Sequence, residues 1–169
     1  MTSYVALLRA VNVGGTGKLP MADLKALCEA AGFLAVRTYI ASGNVLFRSD
    51  ADEPAVKAAL EARLLAYAGK PVGVLVRTAA EIAEVVARNP FADAPGSRVT
   101  AIFLDHPTTP AFLDAVTGRV DEELRLGWRE IYVRYGAGMA DSRLRIPAAK
   151  TGTARNMNTV AKLASLAAV

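Results

Sequence analysis

The stretch Val36-Arg37-Thr38-Tyr39-Ile40-Ala41-Ser42-Gly43-Asn44-Val45-Leu46-Phe47-Arg48 reads as two short strands around a three-residue turn. Strands this close in sequence pair antiparallel, so the stretch predicts a hairpin over residues 36–48. What lies on either side of it decides the architecture. Upstream, Met21, Leu24, Leu27, Cys28 and Ala31 recur at helical spacing between Pro20, suited to a first helical position, and Gly32, a natural terminator. Before that helix, Tyr4-Val5-Ala6-Leu7-Leu8 is a short apolar run that reads as a buried strand. Downstream, Pro54 opens a second helix with Val56, Leu60, Leu64 and Tyr67 on one face, and residues 72–76 form another apolar strand. Strand, helix, strand, strand, helix, strand is the split βαβ, or ferredoxin-like, order.

The chain then continues through a linking helix. Thr78-Ala79-Ala80-Glu81 is a capping box, Ile82, Val85 and Val86 carry the buried face, and Asn89-Pro90 ends it. Residues 91–97, rich in Pro, Gly and Asp, are the expected boundary. Beyond them come a strand at 99–104 and a loop at 105–110 ending in Thr109 as a helix cap. A helix with Phe112, Leu113 and Val116 inward follows. Residues 123–126 and 131–135 predict a hairpin whose second strand, alternating Ile131, Val133 and Tyr135 with Tyr132 and Arg134, is half-buried. Residues 136–152 are irregular, with one short helix, and Met157, Val160, Leu163, Ala164 and Ala167 mark a final amphipathic helix. The expected fold is therefore α+β. A ferredoxin-like βαββαβ lobe over residues 1–90 is followed by a smaller βαββα lobe over 91–169, the two packed as one compact unit.

Composition bounds the function. With 169 residues, 53% of them apolar, the chain is neither a disordered tail nor a linker. A net charge of +4 permits acidic partners, but the twenty Lys and Arg are scattered along the chain rather than gathered into a binding face. One cysteine, Cys28, allows no internal disulfide, and its helical register places it on a core face. With no secretory signal pattern and no apolar stretch of membrane-spanning length, the expected location is the cytoplasm, away from membranes.

The most distinctive polar segment is Arg9-Ala10-Val11-Asn12-Val13-Gly14-Gly15-Thr16-Gly17-Lys18, between the first strand and the first helix. It fails both nucleotide signatures. A P-loop needs Ser or Thr after Gly17-Lys18, where Leu19 stands, and the dinucleotide fingerprint needs glycine where Pro20 stands. A glycine-rich turn before a helix still offers backbone N–H groups, and Arg9, Asn12 and Lys18 add polar side chains around Gly14 and Gly15. The competing reading is a tight turn whose glycines only route the chain. A second cluster, Arg155, Asn156, Asn158 and Thr159, precedes the final helix. Asn156 or Asn158 suits an N-cap, while Arg155 is electrostatically misplaced at a helix start unless it meets an anion. Ser42 and Asn44 at the hairpin tip form a third cluster that turn conformation alone explains.

Catalytic sets are missing. His106 is the single histidine and lies in a Pro-rich loop, which excludes a multi-histidine metal centre, and no metal or cofactor is expected. Asp121-Glu122-Glu123 has the look of a solvated surface run, and Trp128 in a turn is slender support for base stacking.

Five ordered motifs carry a family resemblance: residues 7–15, Lys18-Leu19-Pro20-Met21, Thr38-Tyr39-Ile40-Ala41-Ser42-Gly43-Asn44-Val45, Asn89-Pro90-Phe91 and residues 153–160. Together they make the chain resemble, over essentially its whole length, the bacterial family known as domain of unknown function 1697. The resemblance implies a cytoplasmic α+β protein with ferredoxin-like lobes and supplies no activity. Two positions depart from the family pattern: Ala10 stands where glycine is usual, and Met157 where tryptophan is usual. The reading that unites the three clusters is a site for a small anionic or phosphorylated ligand, walled by the glycine loop on one side and the Arg155 segment on the other. The alternatives are a nucleic-acid-binding module, which lacks an RNP-like aromatic pair, and a purely structural polar network.

Overall fold

The computed structural model describes residues 1–11, 18–136 and 139–168. The chain divides into two units, Met1–Ile82 with Leu163–Val169, and Ala83–Lys162.

Unit 1 contains β1 (Thr2–Leu8), α1 (Met21–Ala30), β2 (Leu34–Tyr39), β3 (Asn44–Ser49), α2 (Glu53–Ala68) and β4 (Val74–Thr78). The strands form one antiparallel sheet in the order β2-β3-β1-β4, the ferredoxin-like arrangement expected from the hairpin and its flanking helices. Alternation along β1 sends Tyr4, Ala6 and Leu8 to one face with Val45, Phe47, Val74 and Val76. Leu24 and Cys28 of α1 and Val56, Leu60 and Leu64 of α2 pack on that face, and Phe33 stacks on Phe47 at 4.2 Å. Val5, Leu7, Leu46, Leu75 and Arg77 are buried as well, which is why β1 and β4 read as continuous apolar runs rather than alternating ones. Tyr67 departs from its expected inward position: it is 45% exposed, with its hydroxyl donating to Asp23 Oδ2 at 2.6 Å.

Helix α3 (Ala79–Ala87) begins with both halves of the predicted capping box. The Thr78 N–H donates to Glu81 Oε1 at 2.8 Å and the Glu81 N–H donates to Thr78 Oγ1 at 3.1 Å. The division between the units falls inside this helix, after Ile82.

Unit 2 contains β5 (Val99–Phe103), a four-residue α4 (Ala111–Asp114), β6 (Glu123–Leu126), β7 (Glu130–Arg134), β8 (Thr153–Asn156) and most of α5 (Met157–Ala167). Two 3-10 turns, Met139–Asp141 and Pro147–Thr151, lie between β7 and β8. Its antiparallel sheet has the order β6-β7-β5-β8. The expected βαββα lobe thus gains a fourth strand. β8 escapes pattern reading because Thr153-Ala154-Arg155-Asn156 carries polar residues, Thr153 and Arg155, at its buried positions.

Three smaller expectations also change. Thr109 does not cap α4, since Pro110 occupies the capping position with no side-chain bond. Leu113 is exposed, leaving Phe112 and Val116 to meet Ile102, Leu124, Ile131 and Val133. Strand β7 is buried on both sides rather than half-buried, because Tyr132 turns inward and donates its hydroxyl to Val85 O at 2.7 Å.

Candidate functional site

Strand β1 ends between two neighbours. The Leu8 N–H donates to Gly43 O and the next amide, Arg9 N–H, donates to Gly73 O, both at 2.9 Å. Arg9 therefore leaves the sheet with the hairpin turn on one side and the start of β4 on the other. Ala10 follows at φ 52°, in the left-handed region that favours glycine, the residue usual here in the family it resembles. Beyond Val11 the described chain resumes at Lys18, so Asn12, Gly14 and Gly15 lie outside the described residues.

Both ends of that loop open onto one cavity of about 590 Å³. Arg9, Lys18 and Lys70 supply three cations to its lining, Tyr67 a phenol, and Val11, Leu19, Leu64 and Val72 an apolar wall. No acidic side chain is among the described residues that line it. The nearby carboxylate of Asp23 is engaged by the Tyr67 hydroxyl, and that hydrogen bond pushes the Tyr67 pKa upward. The volume falls within the ~300–1,000 Å³ range of small-molecule sites, and like charges sharing an apolar-walled concavity raise the local concentration of anions. Of the residues read from the sequence, Arg9 and Lys18 meet here. Lys70, just past the end of α2, and Tyr67 were missed. Tyr67 was given to a core face and Lys70 carried no signal, and only the tertiary fold brings them into the lining of the same cavity as Arg9.

The hairpin turn abuts the same end of β1. An ideal Cβ on Gly43 would lie 2.6 Å from Val11 Cγ2 and 3.0 Å from Leu8 Cβ, and φ at Gly43 is +87°. Only glycine fits there. Asn44 is fully buried, and its Nδ2 donates to Tyr39 O at 2.9 Å and to Ser42 Oγ at 3.0 Å. Ser42 and Asn44 thus brace the turn from within and are not among the described residues that line the cavity.

The Arg155 cluster belongs to unit 2 and is not the loop before a helix that the sequence suggested. Arg155 sits on β8, opposite Ala101 of β5, and is 8% exposed. It donates to Thr153 Oγ1 at 2.7 Å and to Ala154 O at 2.9 Å, and burial pulls its pKa down to about 10. Asn156 is the helix cap: its Oδ1 accepts from the Thr159 N–H at 2.9 Å. Asn158 is exposed and lies against Gly96, where a Cβ would come within 2.2 Å of its Oδ1. Met157 is 5% exposed, packed where the family usually has tryptophan.

Unit 2 also corrects the reading of Asp121-Glu122-Glu123 as a solvated run at its middle residue, since Asp121 is exposed and Glu123 half-buried but Glu122 is not solvated. Glu122 is buried, its Oε2 accepting from the Ser142 hydroxyl and its Oε1 from the Val120 N–H at 2.7 Å. Those bonds, Ser142 first, hold its carboxyl down to about 2. No sequence spacing marks this clasp, because Ser142 lies twenty residues away. A cleft of about 540 Å³ beside β6 is lined by Phe91, Asp93, Glu123, Arg125 and Arg134, among others. Its charges neutralise one another, with Glu123 paired to Arg134 and 3.8 Å from Arg125. Trp128 is exposed, and the guanidinium of Arg129 lies 4.4 Å over its ring.

Among the described residues no cluster of His, Cys, Asp and Glu is placed to hold a metal ion, and no helix is long and apolar enough to cross a membrane. No curated protein matches the chain. Among solved structures it is similar to a conserved bacterial protein, SP0830 from Streptococcus pneumoniae, at 22% identity and a TM-score of 0.82 over 98% of each chain. At that identity the likeness establishes the shared fold. The family model described as "Protein of unknown function (DUF1697)" matches residues 1–132, which span every strand of unit 1 and the paired strands β5, β6 and part of β7 in unit 2, and the chain belongs to that family.

Proposed function

We propose that the unit 1 cavity at the end of β1 binds a small organic anion, a phosphate or carboxylate group carried on an apolar body. The observation that carries this reading is the pairing of three cationic side chains with an apolar wall in one cavity, with no acidic side chain among the described residues that line it. Arg9 offers a planar fork of donors suited to an oxyanion, Lys18 and Lys70 add point charges, and Leu64, Val72, Val11 and Leu19 shield the body of the ligand from water. Arg155, Asn156, Asn158 and Thr159 stand outside this proposal: none of them lines the cavity, Arg155 bonds within β8, and Asn156 caps α5 at the Thr159 N–H.

The test is a thermal-shift series at low ionic strength with inorganic phosphate, phenyl phosphate, benzoate and a set of phosphorylated metabolites, preceded by native mass spectrometry for a co-purified ligand. A ligand that binds only the native state raises Tm with its concentration. Phenyl phosphate is expected to shift Tm more than inorganic phosphate, since only it uses the apolar wall. In the Arg9→Ala/Lys70→Ala double variant the shift is expected to vanish. A wild-type protein that responds to none of these anions overturns the reading.

A further inference from the structure

We infer that Gly73 is a positioning residue: its missing side chain is what lets Arg9 lie flat at the cavity, and this sets the site's selectivity for a planar or tetrahedral oxyanion taken by a fork of two donors. The inference rests on the anion-binding reading of the same cavity. An ideal Cβ on Gly73 would stand 2.8 Å from Arg9 Cδ, 3.4 Å from Cγ and 3.6 Å from Nη1. All three nearest atoms belong to the one side chain, so the space a Cβ would need is filled by the stem of Arg9. The backbone at Gly73 is outside the left-handed region, so conformational freedom does not explain a glycine there. The two residues are also tied through the main chain by the Arg9 N–H to Gly73 O bond of 2.9 Å, which fixes where the Arg9 side chain starts.

The other two cations are held differently. Lys18 and Lys70 are exposed, each a compact charge on a flexible stem. Arg9 is half-buried, anchored at its backbone and laid along the glycine. A guanidinium held in this way loses little freedom on binding, and its fork geometry discriminates oxyanions from halides, which a point charge does not. Lys18 and Lys70 then contribute attraction, and Arg9 contributes orientation.

The experiment is isothermal titration of phenyl phosphate, with chloride competition, into wild type, Arg9→Lys, Gly73→Ala and the Arg9→Lys/Gly73→Ala double variant, with Tm measured for each. Arg9→Lys, which keeps the charge and loses the fork, is expected to weaken phenyl phosphate about tenfold and to make the site more sensitive to chloride. Gly73→Ala is expected to give a comparable loss with Tm equal to or above wild type, since alanine restricts the unfolded chain. In the double variant the two losses are expected not to multiply, because both act through the same guanidinium. Wild-type affinity in Gly73→Ala, or losses that multiply in the double variant, would overturn the positioning role while leaving the anion site standing. A Gly73→Ala protein whose Tm falls by several degrees also overturns it, since the Cβ would then be disrupting the sheet rather than Arg9. Absence of phenyl phosphate binding to wild type defeats the anion reading itself.

Discussion

Units 1 and 2 share a strand order and differ in what joins the third strand to the fourth. In unit 1 the connection is α2, sixteen residues long, capped by Asp52 and carrying Val56, Leu60 and Leu64 onto the sheet. In unit 2 it is a pair of 3-10 turns, and Leu144, Ile146, Ala148 and Ala149, each only partly buried, pack against the face made by Ile102, Leu124, Ile131 and Val133. A helix brings a whole apolar stripe to a sheet, whereas short turns bring single side chains. Unit 2 makes up the difference with polar clasps. Thr117 and Arg145 exchange two backbone hydrogen bonds, at 3.0 and 2.8 Å, and Glu122 gathers Ser142 and the Val120 N–H. Gly118, at φ +72°, lets this connection pass close by: a Cβ there would lie 2.0 Å from Arg143 O. Both units bury an apolar face, and in unit 2 particular bonds also fasten the connection that replaces the helix.

That contrast is open to direct attack. The largest effect belongs to Leu60→Ala, which removes a fully buried side chain from the α2 stripe and is expected to destabilise by about 3 kcal/mol. Urea unfolding reads it, and a loss below about 1 kcal/mol would mean that α2 is not what holds unit 1. The next effect is in unit 2 and depends on pH. Glu122 is held down to about 2 from an ordinary 4.5, so its contribution is complete above pH 4.5 and disappears as pH falls towards 2. Glu122→Gln is therefore expected to lower Tm at neutral pH, with the gap to wild type closing on acidification across that window. A gap constant with pH would show that the clasp does not depend on the carboxylate charge.

The smallest effect is expected at the cavity. Ala10→Gly relieves a left-handed φ of 52°, a gain of about 1–2 kcal/mol, and loosens the unfolded chain, an opposed loss of about 0.5–1 kcal/mol. The outcome should lie within about 1 kcal/mol of wild type, on the stabilising side. A clear loss of stability would mean that the alanine methyl packs in a way its exposure does not suggest.

Much of unit 1 was legible because its signals are local. The hairpin at residues 36–48, the helix around Leu24 and Cys28, and the stripe Val56, Leu60 and Leu64 each follow from periodicity, and together they dictate the sheet order. The capping box at Thr78 and Glu81 was readable for the same reason, since both partners lie within one turn. Strand β8 was not readable: its inward residues are Thr153 and Arg155, so no apolar alternation announces it. A lone arginine ahead of an amphipathic helix resembles an anion site, and only the pairing of Arg155 with Ala101 shows it to be a strand residue satisfied by Thr153 and Ala154.

The candidate site divides in the same way. Arg9 and Lys18 stood out in the sequence because they flank a glycine-rich segment that no core pattern absorbs. Asn44 stood out too, yet its amide is spent inside the turn, a role that depends on where Tyr39 O and Ser42 Oγ fall. Lys70 and Gly73 carried no signal, since their meaning depends on strand neighbours more than sixty residues away in the chain. What the sequence determined by itself was the fold class and the strand order of unit 1, because periodicity and turn chemistry act over a few residues. What the tertiary structure alone decided was which polar side chains face the same cavity and which are already satisfied, because hydrogen-bond partners and electrostatic neighbours are set by pairing across the sheet.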